Sequence, residues 1–260
     1  MQRLRRLAGR RRVRDAERRF VVEGAKLIGV ALDAGAAVES VYVDPDLVRP
    51  GDGVEEVVGR ALAAGARAFD LDAGVLARVA GTVTPQPVLA VVASVDVPLQ
   101  HLEAAPPDLV VVCADVRDPG NAGAVLRAAE AAGAGAVVSC GTSVDPFNPK
   151  AVRASAGALF LVPVVTGPRA EEVLEVLGRW GLRRLAAVAR GGADYASVDL
   201  ARPVAVVLGN EAAGIDPGLR AHLDGGITVP MTGRTESLNV ATAAAVICFE
   251  AARQRRQAAP

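Results

Sequence analysis

The feature that most constrains the fold is an alternation of short apolar runs with helical patterns in the second half of the chain. Residues 109–113 form a continuous apolar run, as expected for a strand buried on both faces of a parallel sheet. Similar runs follow at 136–139, 162–165, 185–189, 204–208 and 227–229, and helical patterns occupy 124–132, 150–159, 170–180 and 237–253. This regular alternation predicts a parallel, layered α/β sheet.

The first part of the chain repeats the alternation on a smaller scale. Strands are predicted at 20–22, 38–43, 66–69 and 88–93, and helices at 24–34, 54–64 and 72–80. Residues 97–107 contain three prolines and little periodicity, which is typical of an interdomain linker. The sequence therefore predicts a small α/β domain over 20–96, a linker over 97–107 and a second α/β domain over 108–260.

A basic N-terminal extension precedes the first domain. Residues 1–19 hold nine arginines against Asp15 and Glu17, a local net charge of +7 in a chain whose formal net charge is zero. Blocks of like charge usually form solvated or disordered tails and often contact nucleic acid. The residues predicted to bind RNA are Arg10, Arg11, Arg12, Arg18 and Arg19.

Several classes of protein are disfavoured by what the sequence lacks. Cys113, Cys140 and Cys248 lie far apart in apolar segments, which favours buried, reduced thiols in a cytoplasmic protein. His101 and His222 share no metal-ligand spacing, so no metal site is expected. No apolar run reaches the roughly 18 residues needed to span a bilayer, and no signal peptide is recognised. Neither a P-loop nor a nucleophile elbow is present.

Three polar, glycine-containing stretches follow predicted strands, where parallel sheets bind ligands. The first contains Asn121 and Arg127 at a helix start, the second spans 208–214, and the third spans 229–240. The residues alone leave alternatives open. Asn121 and Arg127 fit a phosphate site at a helix N-terminus, or a helix cap and a surface arginine. Glu211 fits a ligand contact or a partner of a helix dipole.

Taken in order, these stretches resemble the SpoU/TrmH family of RNA ribose 2′-O-methyltransferases, within the SPOUT superfamily. The matching motifs are Asn121-x-Gly123-x-x-x-Arg127, Leu208-Gly209-Asn210-Glu211-x-x-Gly214 and Val229-Pro-Met231-x-Gly233-x-x-x-Ser237-Leu238-Asn239-Val240. The stretches 19–24 and 81–86 resemble the family's N-terminal substrate-binding domain. The resemblance spans about 20–253.

The resemblance implies a C-terminal parallel-sheet α/β domain with a deep trefoil knot, the SPOUT fold, which binds S-adenosylmethionine and forms a homodimer. The expected cofactor-binding residues are Leu208, Gly209, Asn210, Gly214, Val229, Pro230, Met231, Ser237 and Leu238. The expected catalytic residues are Arg127, Asn121, Glu211, Ser237 and Asn239. Arg127 would act on the target ribose 2′-hydroxyl. Because guanidinium is effectively always protonated, positioning and electrostatics are expected to be the larger part of its role.

The resulting prediction is S-adenosylmethionine-dependent 2′-O-methylation of RNA, with large-subunit ribosomal RNA as the expected substrate. By resemblance, a separate N-terminal RNA-binding unit favours rRNA over tRNA. A tRNA 2′-O-methyltransferase and a non-catalytic RNA-binding or ribosome-assembly factor on the same fold are the alternatives. The five intact candidate catalytic residues count against the second alternative. A Rossmann-type enzyme is disfavoured because Gly-x-Gly-x-x-Gly is absent.

Overall fold

The structure is a computed structural model that describes residues 1–80 and 84–258. It divides into two compact units. The first comprises Met1–Val95 together with Phe147–Leu161, and the second comprises Asp96–Pro146 together with the chain from Val162 onward. Of the stretch 81–86 that carries part of the resemblance, residues 81–83 lie outside the described residues. No described helix is both long enough and apolar enough to cross a membrane.

The first unit contains a four-stranded mixed sheet. Its strands lie in the order β1 (Arg19–Glu23), β4 (Val88–Ala93), β2 (Val38–Val43) and β3 (Arg67–Asp70). Strand β4 runs antiparallel to β1 and β2, whereas β2 and β3 are parallel. The helices are α1 (Gln2–Gly9), α2 (Arg11–Glu17), α3 (Ala25–Asp33), α4 (Val54–Ala63) and α5 (Val75–Ala80). Helix α5 begins later than the predicted residue 72, because Gly74 has a left-handed φ of 72°.

Residues 1–19 are not a separate solvated extension, because they form α1, α2 and the start of β1. Leu4 and Leu7 of α1 are buried in a cluster with Val21 of β1. Arg14 is only 3% exposed, and its guanidinium donates to the carbonyl oxygens of Leu7 and Ala8 at 2.7 and 3.3 Å. The sequence prediction considered only the charge of residues 1–19 and overlooked Leu4 and Leu7, which are spaced as on one face of a helix.

The second unit is built on a seven-stranded sheet in which every strand pairing is parallel. The strands lie in the order β7 (Val164–Thr166), β6 (Ala136–Ser139), β5 (Leu109–Cys113), β10 (Val204–Leu208), β8 (Arg183–Ala187), β11 (Gly225–Thr228) and β9 (Ala193–Asp194). Its helices are α6 (Pro119–Ala131), α8 (Ala170–Arg179) and α9 (Val240–Ala258), and α6 packs against α9. The predicted α/β class with a parallel sheet is confirmed.

The stretch predicted as a linker, 97–107, packs against this second unit. The Val97 N–H donates to the Val164 carbonyl oxygen at 2.8 Å, which continues the sheet edge. Leu99, in a 3-10 turn over Leu99–Leu102, is buried in the same core as Val110. Prolines therefore limit regular structure here without preventing burial.

The segment Phe147–Leu161 lies between two strands of the second unit in sequence but belongs to the first unit. It contains helix α7 (Pro149–Ala154) and a 3-10 turn at Ala158–Phe160. The rings of Phe147 and Phe160 lie 4.8 and 6.0 Å from the ring of Phe20. The single helix predicted over 150–159 is interrupted because Ala156 and Gly157 both have positive φ, 50° and 99°.

Candidate active site

The three motifs meet at one edge of the second sheet because β5, β10 and β11 are parallel and end there. Asn121 lies in the first turn of α6, and its N–H donates at 2.9 Å to the side chain of the N-cap residue Asp118. The stretch Gly209–Gly214 follows β10. Residues 229–239 connect β11 to α9. The fold thus brings together residues that are more than 100 positions apart.

A tight turn from Gly209 to Gly214 forms one wall of the site. Asn210 and Gly214 exchange backbone hydrogen bonds of 2.8 and 2.9 Å. The Asn210 side-chain oxygen accepts two more from the N–H groups of Ala212 and Ala213, both at 3.0 Å. A Cβ atom on Gly209 would lie 2.3 Å from the Gly214 carbonyl oxygen. Only glycine permits this turn to close.

Glu211, Asn121 and Asn239 form one directional chain of hydrogen bonds. The Asn121 side-chain amide donates to Glu211 Oε1 at 3.0 Å, and the Asn239 amide donates to Asn121 Oδ1 at 2.9 Å. Asn239 Oδ1 then accepts from the N–H groups of Ala241 and Thr242, at the start of α9. Because an ionised carboxylate only accepts, Glu211 determines the orientation of both amides.

The Glu211 carboxylate accepts hydrogen bonds from three donors. Besides Asn121, the backbone N–H groups of Asp118 and Arg117 donate to it at 3.0 and 3.2 Å. Partial burial by itself would raise the pKa of the Glu211 carboxyl, but the hydrogen bonds from Asn121, Asp118 and Arg117 outweigh it and hold the pKa below its ordinary value. Glu211 is therefore ionised at neutral pH.

A cleft of about 510 Å³ opens beside this network. Seven predicted cofactor-binding residues line it, namely Gly209, Asn210, Gly214, Val229, Met231, Ser237 and Leu238, together with Asn121, Glu211 and Asn239. Leu208, which is fully buried in β10, and Pro230 are not among its lining residues. None of the described residues hydrogen-bonds the exposed Ser237 hydroxyl, so this hydroxyl is available to a ligand.

The sequence predictions missed one wall of the cleft. Residues 187–189, at and after the end of β8, line it, as do Ile227 of β11 and Ala243 and Ile247 of α9. The apolar run at 185–189 was the available signal, since the ends of neighbouring parallel strands share one edge. The size of the cleft lies in the range of small-molecule sites, and its apolar walls beside backbone polar groups suit a nucleoside.

Arg127 does not face this cleft. It lies on α6, six residues after Asn121, so the two side chains point about 120° apart around the helix. The Arg127 side chain is exposed, and none of the described residues forms a hydrogen bond or ion pair with it. Within one chain the two side chains therefore lie on different sides of α6, and their joint contact with one anionic group stays a prediction.

The arginines predicted to bind RNA differ in their surroundings. Arg10, Arg11, Arg12 and Arg18 are exposed, and Arg11 lies 3.7 Å from Asp15. Arg19 is half-buried in β1 and donates to Glu39 at 3.1 Å. The side chains of Arg10 and Arg12 form no hydrogen bond or ion pair with the described residues.

Comparison with known proteins decides which family has this arrangement. Residues 108–249 match the model of the SpoU rRNA Methylase family, and residues 1–90 match that of the MRM3-like substrate binding domain. The chain belongs to the SpoU rRNA methylase family. Membership confirms the predicted enzyme class, an RNA ribose methyltransferase.

Relatives of this SpoU protein include methyltransferases named for 23S rRNA. The 23S rRNA (guanosine(2553)-2′-O)-methyltransferase RlmP of Bacillus subtilis is 32% identical over 230 residues, which cover 88% of this chain and 87% of the relative. The 23S rRNA (uridine(2479)-2′-O)-methyltransferase of Streptomyces viridochromogenes is 32% identical over 177 residues, 64% of this chain and 60% of the relative.

Solved SpoU structures extend the comparison to the fold and the cofactor. The AdoMet-bound rRNA methyltransferase from Sinorhizobium meliloti superposes with a TM-score of 0.82 at 30% identity, covering 97% of this chain and 93% of that one. The SpoU methyltransferase AviRb from Streptomyces viridochromogenes, in complex with AdoMet, gives 0.83 at 28% identity and covers 98% of each chain. The predicted SPOUT fold and the predicted cofactor, S-adenosylmethionine, are confirmed.

Proposed function

We propose that this SpoU enzyme methylates a ribose 2′-hydroxyl of large-subunit ribosomal RNA. The observation that carries the proposal is the hydrogen-bond chain from Glu211 through Asn121 to Asn239, which holds two amides at the rim of the cleft. The Bacillus subtilis relative, which is named for 23S rRNA and matches 88% of this chain, favours rRNA over tRNA. An intact network favours an enzyme over an assembly factor, which needs no such array.

The cleft is the proposed site of S-adenosylmethionine. The close turn at Gly209 and the backbone around Val229 and Leu238 would hold its adenine and ribose, and Met231 would line the same pocket. When bound, the cofactor supplies an electrophilic methyl group. We also expect the chain around this pocket to form the deep trefoil knot of SPOUT domains.

The proposed role of the network is to position the acceptor ribose. Asn121 and Asn239 have fixed orientations because Glu211 and the first turn of α9 occupy their inward-facing atoms. Ser237 Oγ would accept a hydrogen bond from the 2′-hydroxyl. Holding the hydroxyl oxygen in line with the transferred group supplies much of a methyl transfer's acceleration.

Arg127 faces away from the cleft of its own chain, so we propose that it serves the cleft of a partner chain in a homodimer. Its helix, α6, packs on α9, where Phe249 is exposed. Both helices would lie at the interface. Arg127 would bind an RNA phosphate beside the target ribose, a role that uses its permanent charge.

A mixed dimer tests this proposal. A dimer of Arg127→Ala and Glu211→Ala chains has one cleft with both defects and one with neither, provided that Arg127 acts across the interface. We therefore expect mixing the two impaired variants to raise methylation well above that of either variant alone. Activity that stays absent in a verified mixed dimer contradicts the arrangement.

The first unit is proposed to bind the RNA through the exposed arginines Arg10, Arg11, Arg12 and Arg18. Arg19 would contribute after its ion pair with Glu39 opens. Ribosomal RNA as substrate would place the enzyme in the cytoplasm.

Labelled S-adenosylmethionine tests the function directly. Incubation with unmodified large-subunit rRNA, small-subunit rRNA and tRNA, followed by nucleoside analysis, is expected to give a 2′-O-methylated nucleoside from the large-subunit rRNA alone. The Asn121→Ala variant should bind the cofactor and fail to transfer the label. Label in tRNA contradicts the proposed substrate, and label in no RNA contradicts the proposed function.

A further inference from the structure

An exposed aromatic stack lies at the free edge of the first unit's sheet. All four residues of the edge strand β3 are exposed, and Phe69 keeps 41% of its surface in solvent. Its ring stacks on that of Tyr42, with centroids 5.2 Å apart and planes at 19°. The Arg67 guanidinium lies 5.7 Å from the same ring centroid. The three side chains form a ladder whose outer end faces solvent.

The register of the sheet builds this ladder. Tyr42 is paired with Phe69 and Ser40 with Arg67, so all four side chains lie on one face of the sheet. The Ser40 hydroxyl donates to the Tyr42 hydroxyl at 3.2 Å and fixes that ring. Only 3% of the chain is aromatic, and three of the five phenylalanines pack together around Phe20. A ring on an edge strand adds little to the core, so the exposed face of Phe69 is available to a ligand.

The charge around the ladder is positive. Glu39 is shared by three arginines, namely Arg3, Arg19 at 3.1 Å and Arg67 at 3.6 Å. Tyr42 also packs against the cluster that contains α1, which places the ladder and the arginine-rich helices on the same face of the sheet. Residues 1–19 hold nine arginines against two acidic residues. This face is complementary to a polyanion.

We propose that the Tyr42–Phe69–Arg67 ladder is a platform on which an unpaired base of the substrate RNA stacks, while arginines of α1 and α2 hold the flanking phosphates. Bases in single strands stack on aromatic rings and on guanidinium planes with little regard to sequence. Arg67 is free to move with the base, because the Glu39 carboxylate retains two other guanidinium partners. The proposal rests on RNA as the substrate proposed above.

The test separates stacking from charge. The full-length protein and its Phe69→Ala variant are titrated with a short single strand of mixed sequence and with a duplex of the same length, over a series of salt concentrations. Loss of one stacked base is expected to weaken single-strand binding by about 5- to 150-fold. The dependence of affinity on salt should not change, because the ring carries no charge. Binding of the duplex should not change either.

Three further variants make the outcome decisive. Leu62→Ala removes another exposed apolar side chain of the same unit, 49% exposed on α4, and should not affect binding. Phe69→Trp should retain affinity, whereas Phe69→Leu keeps the apolar bulk and should lose it. Phe69→Leu that melts like wild type and binds the single strand equally well overturns the proposal. A change of oligomeric state on Phe69 substitution, without a change in RNA affinity, overturns it in favour of a protein interface.

Failure of the platform is distinguishable from failure of the proposed function. Wild-type protein that methylates rRNA while every Phe69 variant binds normally refutes only the platform. Wild-type protein that methylates no RNA refutes the function, whatever the Phe69 variants show in binding.

Discussion

Glu211→Gln is expected to lower kcat/KM about tenfold without moving the pH dependence of methylation. The carboxylate accepts hydrogen bonds of 3.0–3.2 Å from Asn121, Asp118 and Arg117. A hydrogen bond to a charged group is worth about 1 kcal/mol more than one between neutral groups, and glutamine keeps one acceptor oxygen in place. A loss of about 1.4 kcal/mol in the positioning of Asn121 corresponds to a tenfold slower reaction. Glu211→Ala removes every acceptor and is expected to cost about a hundredfold.

The pH profile decides what Glu211 does. Hydrogen bonds hold the pKa of Glu211 below its ordinary value, so its contribution is present above the ordinary carboxyl pKa and is lost only as the pH falls through the lowered one. Wild type and Glu211→Gln should therefore give parallel curves of log kcat/KM between about pH 6 and 9. The positioning role would be refuted if log kcat/KM of the wild type fell with decreasing pH in the neutral range and that of Glu211→Gln did not. Glu172→Gln, an exposed carboxylate on α8, is the matched control.

Three other perturbations have definite expected outcomes. Gly209→Ala places a Cβ 2.3 Å from the Gly214 carbonyl oxygen, so this variant should have a lower melting temperature and should not be stabilised by S-adenosylmethionine. Gly233→Ala is the control. Its added Cβ has no atom within 4 Å, so it should change neither property. Arg14→Ala should lower the free energy of unfolding by about 2 kcal/mol in urea titrations, because two carbonyls lose a buried charged donor. Arg12→Ala should leave it unchanged and reduce the salt slope of single-strand binding by about 0.7. Arg127→Lys keeps the positive charge but loses the planar set of N–H donors of the guanidinium group, so methylation should fall while the melting temperature is retained. Full activity of this variant contradicts a role for the guanidinium geometry.

The strands could be predicted where apolar runs end at sharp sequence boundaries. The predicted bounds of β2, β4, β5, β6 and β10 agree with the structure, because each run has a polar, glycine or proline residue next to at least one of its ends. Helices α1 and α2 could not be predicted from charge. Leu4, Leu7 and Arg14 are buried there, so deleting residues 1–19 would uncover core instead of removing a tail. Substitution of the exposed arginines is therefore the informative experiment.

The site could be predicted as a set of residues but not as a network. Motif order at the strand ends predicted that residues 121, 209–214 and 229–240 converge, and they do so around one cleft. The hydrogen bonds of the network join residues that are 90 and 118 positions apart in sequence. No local sequence pattern predicts which of these groups donates and which accepts. The contribution of β8 and the orientation of Arg127 likewise depend on packing between distant elements.

The residues that line the cleft constrain how the hydroxyl proton can leave. Glu211 is the one carboxylate among the described lining residues, which include no histidine, lysine, cysteine or tyrosine. Its oxygens already accept three donors and its pKa is lowered, so it is a weak base there. The amides of Asn121 and Asn239 cannot take a proton, and guanidinium remains charged. Positioning of a neutral hydroxyl by fixed dipoles is the chemistry that these groups support. The bound cofactor would supply the methyl group, its sulfur–methyl bond breaking as the O–C bond forms, and the hydroxyl proton would pass to solvent. It follows that Glu211→Gln, which keeps the geometry of residue 211 but not its basicity, should be about tenfold more active than Glu211→Ala.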